Sequence, residues 1–153
     1  MARAAKAAGL DITIERFPQG TRTAADAARA VGCEVGQIVK SLVFLADGEP
    51  VVALVSGAHR LDVGRLGAVL GAQQVERADG DAVRNATGYA IGGVPPLGHA
   101  RPLTVLMDRH LLDHERVWAA AGRPDTVFAA APDALRRASG ALVADLAEEP
   151  PSA

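Results

Sequence analysis

The chain of 153 residues holds a single cysteine, Cys33. One thiol excludes an intramolecular disulfide framework and any zinc site built from four cysteines. Aromatic residues make up only 3%, so the core must be mostly aliphatic. No run approaches the ~20 apolar residues that span a bilayer, and the N-terminal stretch Met1-Ala-Arg-Ala-Ala-Lys-Ala-Ala-Gly9 lacks the apolar segment of a secretory signal. These absences predict a reducing, cytoplasmic setting without membrane insertion. Neither charge dominates: 16 Lys plus Arg face 18 Asp plus Glu, for a net charge of -2. That balance excludes a generic polyelectrolyte binder, leaving room only for a local basic patch.

An apolar share of 49% and a charged share of 22% are those of a folded globular chain. No repeat, linker or charge run divides it, so a single domain is expected. Local signals then place the elements. Ala2 to Ala8 is alanine-rich and helical, and Ile12 to Phe17 alternates as a short strand. Thr23-Ala-Ala-Asp26 caps a helix that stops at Gly32. Asp47-Gly48 marks a hairpin between a strand over Gln37 to Ala46 and the apolar run Val51 to Val55. Period-two geometry puts Ile38, Lys40, Leu42 and Phe44 on one face. Asp62 opens a helix that ends at Gly71, Gln73 to Arg77 reads as a strand and Asp81 to Ala86 as a short helix. Strands follow at Leu103 to Met107, Val117 to Ala121 and Thr126 to Ala130, then a helix from Pro132 to Gly140 and a last strand over Ala141 to Asp145. Strands and helices interleave irregularly, which favours a mixed, antiparallel α+β domain over a doubly wound parallel sheet.

Two features carry chemistry. Lysine occurs only at Lys6 and Lys40; every other basic residue is arginine. An ammonium among Ile38, Leu42 and Phe44 is either a snorkelling stem or a charge set at a pocket mouth to meet an anion or a carbonyl oxygen. The second feature is Thr87-Gly-Tyr-Ala-Ile-Gly-Gly-Val-Pro-Pro-Leu-Gly98. Its glycines let backbone approach a ligand and its prolines fix φ, so Gly92 to Pro96 could aim N–H groups at a carbonyl or phosphate; a rigid corner uses the same residues. Other constellations are thinner. His110 and His114 stand four apart, a spacing that two metal ligands on one helical turn would share, but no HExxH motif accompanies them. His59 and His99 have no partner spacing, Cys33 has no identifiable partner, and neither a G-x-S-x-G elbow nor a Walker loop is present. Arg60, Arg65, Arg77, Arg84 and Arg101 are interleaved with acids, so any RNA contact they make would be local and salt-sensitive.

Ile38-Val-Lys-Ser-Leu-Val43 and the Thr87 to Gly98 segment, in that order, resemble the YbaK-type aminoacyl-tRNA deacylases, relatives of the bacterial prolyl-tRNA synthetase editing domain. Ser56-Gly-Ala-His-Arg-Leu-Asp62 and Ala141-Leu-Val-Ala-Asp145 extend the resemblance over nearly the whole chain. It implies a compact α+β domain, residues 1–147, with a curved, mostly antiparallel, barrel-like sheet and surrounding helices, followed by a short flexible tail, 148–153. It also implies hydrolysis of the ester of a mischarged tRNA carrying Cys, Ala, Ser or Thr, on tRNA-Pro in some relatives. Lys40, Gly92 and Gly93 would act in catalysis, and Ser41, Ser56, Tyr89, Val94, Pro95, Pro96, Gly98 and Thr126 would line the substrate pocket. Neither a cofactor nor a metal is implied. The expected partners are the acceptor end of aminoacyl-tRNA and prolyl-tRNA synthetase or another synthetase, with no membrane. Some relatives that remove alanine carry a histidine in the C-terminal part of the pocket, and none follows His114 here. Two readings compete with the deacylase: a non-catalytic homologue that binds tRNA or a synthetase, and a metal hydrolase using His110 and His114.

Overall fold

The computed structural model describes residues 1–17 and 23–149. Five helices surround one mixed sheet of eight strands. After α1 (Ala2–Ala7) and β1 (Ile14–Arg16), α2 (Ala24–Val31) starts where the Thr23 side chain accepts the Asp26 N–H at 3.1 Å. A single 3-10 turn then leads into β2 (Ile38–Ala46) and β3 (Glu49–Ser56). Asp47 and Gly48 between them have φ of 49° and 84°, the paired positive values of a type I′ hairpin. Next come α3 (Val63–Leu70), β4 (Val75–Arg77), α4 (Gly80–Thr87), β5 (Thr104–Asp108), β6 (Val117–Ala120), β7 (Thr126–Ala130), α5 (Pro132–Ser139) and β8 (Leu142–Ala144). Asp62 and Asp79 cap α3 and α4 by accepting the N–H groups of Arg65 and Ala82. β4 is shorter than the alternation predicts, because the Asp47 carboxylate captures the N–H groups of Gln73 and Gln74 and turns the chain there.

The strand order is β1-β7-β6-β2-β3-β5-β8, with β4 also on β2. Four pairings are antiparallel and three are parallel, the parallel ones being β2 with β6, β3 with β5, and β5 with β8. The expected α+β class and antiparallel majority therefore hold. The barrel-like closure does not form: the path ends at β1 and β8, three-residue strands that pair with β7 and β5 and not with each other. β3 runs through the centre with Val51 to Ser56 all buried, since apolar layers cover both of its faces. One layer joins Val39, Val43, Leu54, Met107 and Phe128; the other joins Phe44, Ala53, Val55, Leu66 and Leu146. Among the described residues no helix is long and apolar enough to cross a membrane.

β2 has one edge filled by β3 over its full length. Its other edge is shared. β6 pairs at Ile38 and Val39, β4 pairs from Phe44 to Ala46, and the residues between have neither. This gap positions the site described below.

A second fixed point is Asp108 at the end of β5, with no solvent exposure. One carboxylate oxygen accepts the N–H groups of Leu146 (2.8 Å) and Ala147 (3.2 Å); the other meets the His110 ring Nδ1 at 2.8 Å. The C-terminal segment held this way lies along residues 60–62: Asp62 N–H donates to the Leu146 carbonyl, Glu148 N–H to the Arg60 carbonyl, and Leu61 bridges Ala147. Arg65 closes the clasp on Asp145 and Glu149, each at 3.0 Å. Glu148 and Glu149 of the expected tail take part in this contact, and residues 150–153 of it lie outside the described residues.

Asp108→Ala removes a buried acceptor and strands the amide donors of the clasp. It is expected to cost at least about 3 kcal/mol, seen as a fall in Tm of roughly 6–12 °C. Asp108→Asn, which keeps a carbonyl oxygen for Leu146 and Ala147, should lose clearly less; equal losses in a thermal melt would contradict this role.

Candidate functional site

A cavity of about 350 Å³ opens over the gap in the β2 edge. Residues Ile38 to Leu42 form one wall. Trp118 to Ala120, with Thr126 and Val127, form a second, and Gly92 and Val94 a third; Thr23, Arg77, Ile91 and Pro124 complete the rim. A recess of about 30 Å³ adjoins it between Ser41 and Gly92, walled by Arg77, Ala78, Val83, Ile91 and Val94.

Lys40 is half-buried and lies, as strand alternation predicts, on the face shared with Leu42 and Phe44. Its Nζ donates to the carbonyl of His59 at 2.5 Å. An ammonium has three donors, so two remain for the cavity. Burial, and then the guanidinium groups of Arg77 and Arg60, push its pKa below the ordinary lysine value. No carboxylate is paired with it among the described residues. The arrangement therefore favours an incoming electron-rich oxygen over any internal partner. The His59 carbonyl is itself held in place: the His59 ring packs on that of His110 at a centroid distance of 4.5 Å, and His110 is anchored on Asp108.

Ser41 contributes the one wall hydroxyl without a partner. Its Oγ is buried and makes no hydrogen bond, whereas Thr126 Oγ1 donates to the Arg123 carbonyl and Thr23 Oγ1 accepts the Asp26 N–H. An unpaired buried hydroxyl costs about 1–3 kcal/mol. Gly92 has φ +90°, a left-handed conformation suited to glycine, and its N–H has no backbone partner among the described residues.

Of the sequence-predicted residues, Lys40, Ser41, Gly92, Val94 and Thr126 meet at the cavity. Gly93 does not offer its amide: that N–H donates to the Ala90 carbonyl at 3.0 Å, and a Cβ there would lie 3.0 Å from the Arg123 backbone. Gly93 is a packing glycine under the 123–124 segment. Ser56, Tyr89, Pro95, Pro96 and Gly98 are likewise absent from the lining and serve as scaffold. Ser56 Oγ donates to the Gly36 carbonyl at 2.7 Å and accepts the Ala58 N–H, fixing the turn that carries His59. Tyr89 ties its hydroxyl to the Gly98 carbonyl at 3.2 Å and packs its ring over Gly122. The Pro95 carbonyl meets His99 Nε2 at 2.8 Å, Pro96 is buried, and Gly98, at φ +78°, lies against Met1 and Ala4. Sequence reasoning missed Trp118 and placed Thr23 only as a cap; Arg77 appeared only among scattered arginines.

The histidine pair does not assemble. His110 lies in a 3-10 helix over Arg109–Asp113 and turns to Asp108, while the His114 ring lies over Gly36. Three-residue turns take residues four apart off one face. Asp108, His110 and Asp145 do come together, but Asp108 is filled by amide donors and Asp145 by Arg65 and Arg109. Two guanidinium groups there oppose a cation. Burial and then Glu34 push the Cys33 thiol pKa up, the reverse of what a nucleophile needs.

The family model of the aminoacyl-tRNA editing domain matches residues 18–138. A solved structure described as a candidate trans-editing enzyme for prolyl tRNA synthetase is 46% identical, with a TM-score of 0.91 over 96% of this chain and 94% of that one. The proline–tRNA ligase of Citrifermentans bemidjiense is 36% identical over 107 residues, 70% of this chain and 19% of the ligase. That of Elusimicrobium minutum is 41% identical over 88 residues, 56% of this chain and 15% of the ligase. The chain spans less than a fifth of the length of these curated relatives.

The environment of Lys40 has a direct readout. Competitive labelling with an amine-reactive acylating reagent from about pH 7 to 11, resolved by mass spectrometry, should give Lys40 a lower titration midpoint in the folded protein than in the denatured chain. An equal or higher midpoint would show that burial and the flanking guanidinium groups do not act on it.

Proposed function

The chain belongs to the aminoacyl-tRNA editing-domain family, and from that premise we propose that it is a deacylase that hydrolyses the ester of tRNA mischarged with a small amino acid. The observation that carries this reading is the cavity itself, whose lining holds Lys40, its ammonium bound to the His59 carbonyl, and the Gly92 loop at the open edge of β2. A volume of about 350 Å³ sits at the lower end of small-molecule sites. Ala119, Ala120 and Val127 form part of its wall.

In the proposed reaction, water adds to the ester carbonyl carbon and the carbonyl oxygen gains negative charge. The bond to the ribose oxygen then breaks, and the proton from water ends on that oxygen. Free amino acid and uncharged tRNA result. No His, Cys, Asp or Glu of the described residues lines the cavity, so catalysis rests on position and charge rather than on a protein nucleophile. Lys40 orients the terminal adenosine or its phosphate, and the Gly92 N–H, with the remaining Lys40 donors, stabilises the developing oxyanion. Arg77 at the rim and Arg60 near Lys40 add positive potential. The acceptor end of tRNA is the part this site takes; prolyl-tRNA synthetase, or another synthetase, is the partner that would present it.

Hydrolysis of tRNAs charged with Ala, Cys, Ser, Thr and Pro, with correctly paired tRNAs as controls, tests the reading. One small mischarged amino acid should be removed fast, and Lys40→Ala should lower that rate by about 10²–10³-fold. Full activity of Lys40→Ala at subsaturating substrate would remove the lysine from the mechanism, and no turnover of any member by the wild type would favour a binding homologue.

A further inference from the structure

Strand alternation fixes what the gap in β2 presents. The Ile38 carbonyl accepts the Gly57 N–H on the β3 side, and the Val43 carbonyl accepts the Ala78 N–H on the opposite side. Residues 39, 41 and 43 therefore aim their main-chain groups at the shared edge. Val39 meets β6 there and Val43 meets Ala78. Ser41, between them, is outside both registers. Its side chain points to the recess on the Gly92 side, and its Oγ is buried without a partner. The recess, about 30 Å³, is large enough for a group the size of a water molecule. That is room for one hydroxyl.

We propose that this recess reads a hydroxyl on the substrate, so that the aminoacyl groups the site selects are those of β-hydroxy amino acids, serine first and threonine with it. The inference rests on the deacylase reading and narrows it. A seryl hydroxyl both donates and accepts, and it completes the hydrogen bonding of Ser41 Oγ. An alanyl methyl fills the same volume and leaves Ser41 unpaired. Sites that hydrogen-bond a substrate hydroxyl discriminate against the analogue that lacks it far more strongly than apolar pockets discriminate between methylenes. A thiol is larger and a weaker donor, which places cysteine below serine. Besides Ser41 and Gly92, Arg77 lines the recess, and its remaining walls are aliphatic.

The test uses the whole chain as wild type and Ser41→Ala. Binding of adenosine carrying a 3′ amide-linked seryl or alanyl group is measured by calorimetry, and hydrolysis of seryl- and alanyl-tRNA is measured in parallel. Wild type should favour seryl over alanyl by at least about tenfold in both assays. In Ser41→Ala the ratio should collapse to within about threefold of unity. The substitution removes a hydroxyl that no other group of the protein satisfies, so the melting temperature should hold or rise. A wild-type ratio near one, a preference for alanyl, no binding of either analogue, or a seryl preference that survives in Ser41→Ala overturns the proposal. Seryl-selective binding without turnover would uphold the recess and overturn the deacylase reading. Unselective turnover would do the reverse.

Discussion

The sharing of one edge of β2 between two strands is the constraint on which the site depends. A central strand ordinarily spends all its main-chain groups on its neighbours. Here β6 leaves after Val39 and β4 begins at Phe44, so the middle of the strand keeps polar capacity at the floor of a cavity. The rest of the fold makes that opening affordable. β3 is buried on both faces and pairs with β2 over its full length, while the other edge of β2 is interrupted. The Gly92 loop and the β6–β7 hairpin then close over the gap from two sides.

Charge is arranged around this opening with the same logic. Lys40, Arg60 and Arg77 lie close enough to lower the lysine pKa, and a fold optimised only for stability would set a carboxylate among them. The carboxylates go elsewhere: Asp108 and Asp145 hold the C-terminal clasp with Arg65 and Arg109, on the far side of the His59 turn. The link between the two regions is mechanical, through the stacked rings of His59 and His110 and the carbonyl that receives Lys40. The matched family region ends at 138, whereas the segment that steadies the lysine's acceptor is 145–149.

Local chemistry was legible in the sequence and long-range pairing was not. The caps at Thr23 and Asp62, the Asp47-Gly48 hairpin and the helix stops at Gly32, Gly71 and Gly140 each depend on one or two neighbouring residues, and each stands where the sequence places it. Lys40 stood out because an ammonium among aliphatic neighbours is expensive wherever the strand lies. The Gly88 to Gly98 segment was found as a unit, but its members divide: Gly92 and Val94 face the cavity, while Tyr89, Gly93 and Gly98 hold the loop to Gly122, Arg123 and the N-terminal helix. A motif marks a stretch of chain without separating lining from scaffold. Ser56 shows the same limit, its hydroxyl being taken by Gly36 and Ala58. The open edge at Ser41 follows from where residues 75–77 and 117–120 pair, which no local pattern encodes.

The most direct test of the account is where a substrate analogue settles. Adenosine with a 3′ amide-linked seryl group, titrated into uniformly labelled protein, is predicted to shift the amide resonances of Ser41, Gly92, Ala119 and Thr126 together, with those around Asp108 and Asp145 unmoved. Shifts confined to the Asp108–His110–Asp145 cluster, or none at the β2 gap at saturating analogue, would contradict the claim that the interrupted edge of β2 is the functional site.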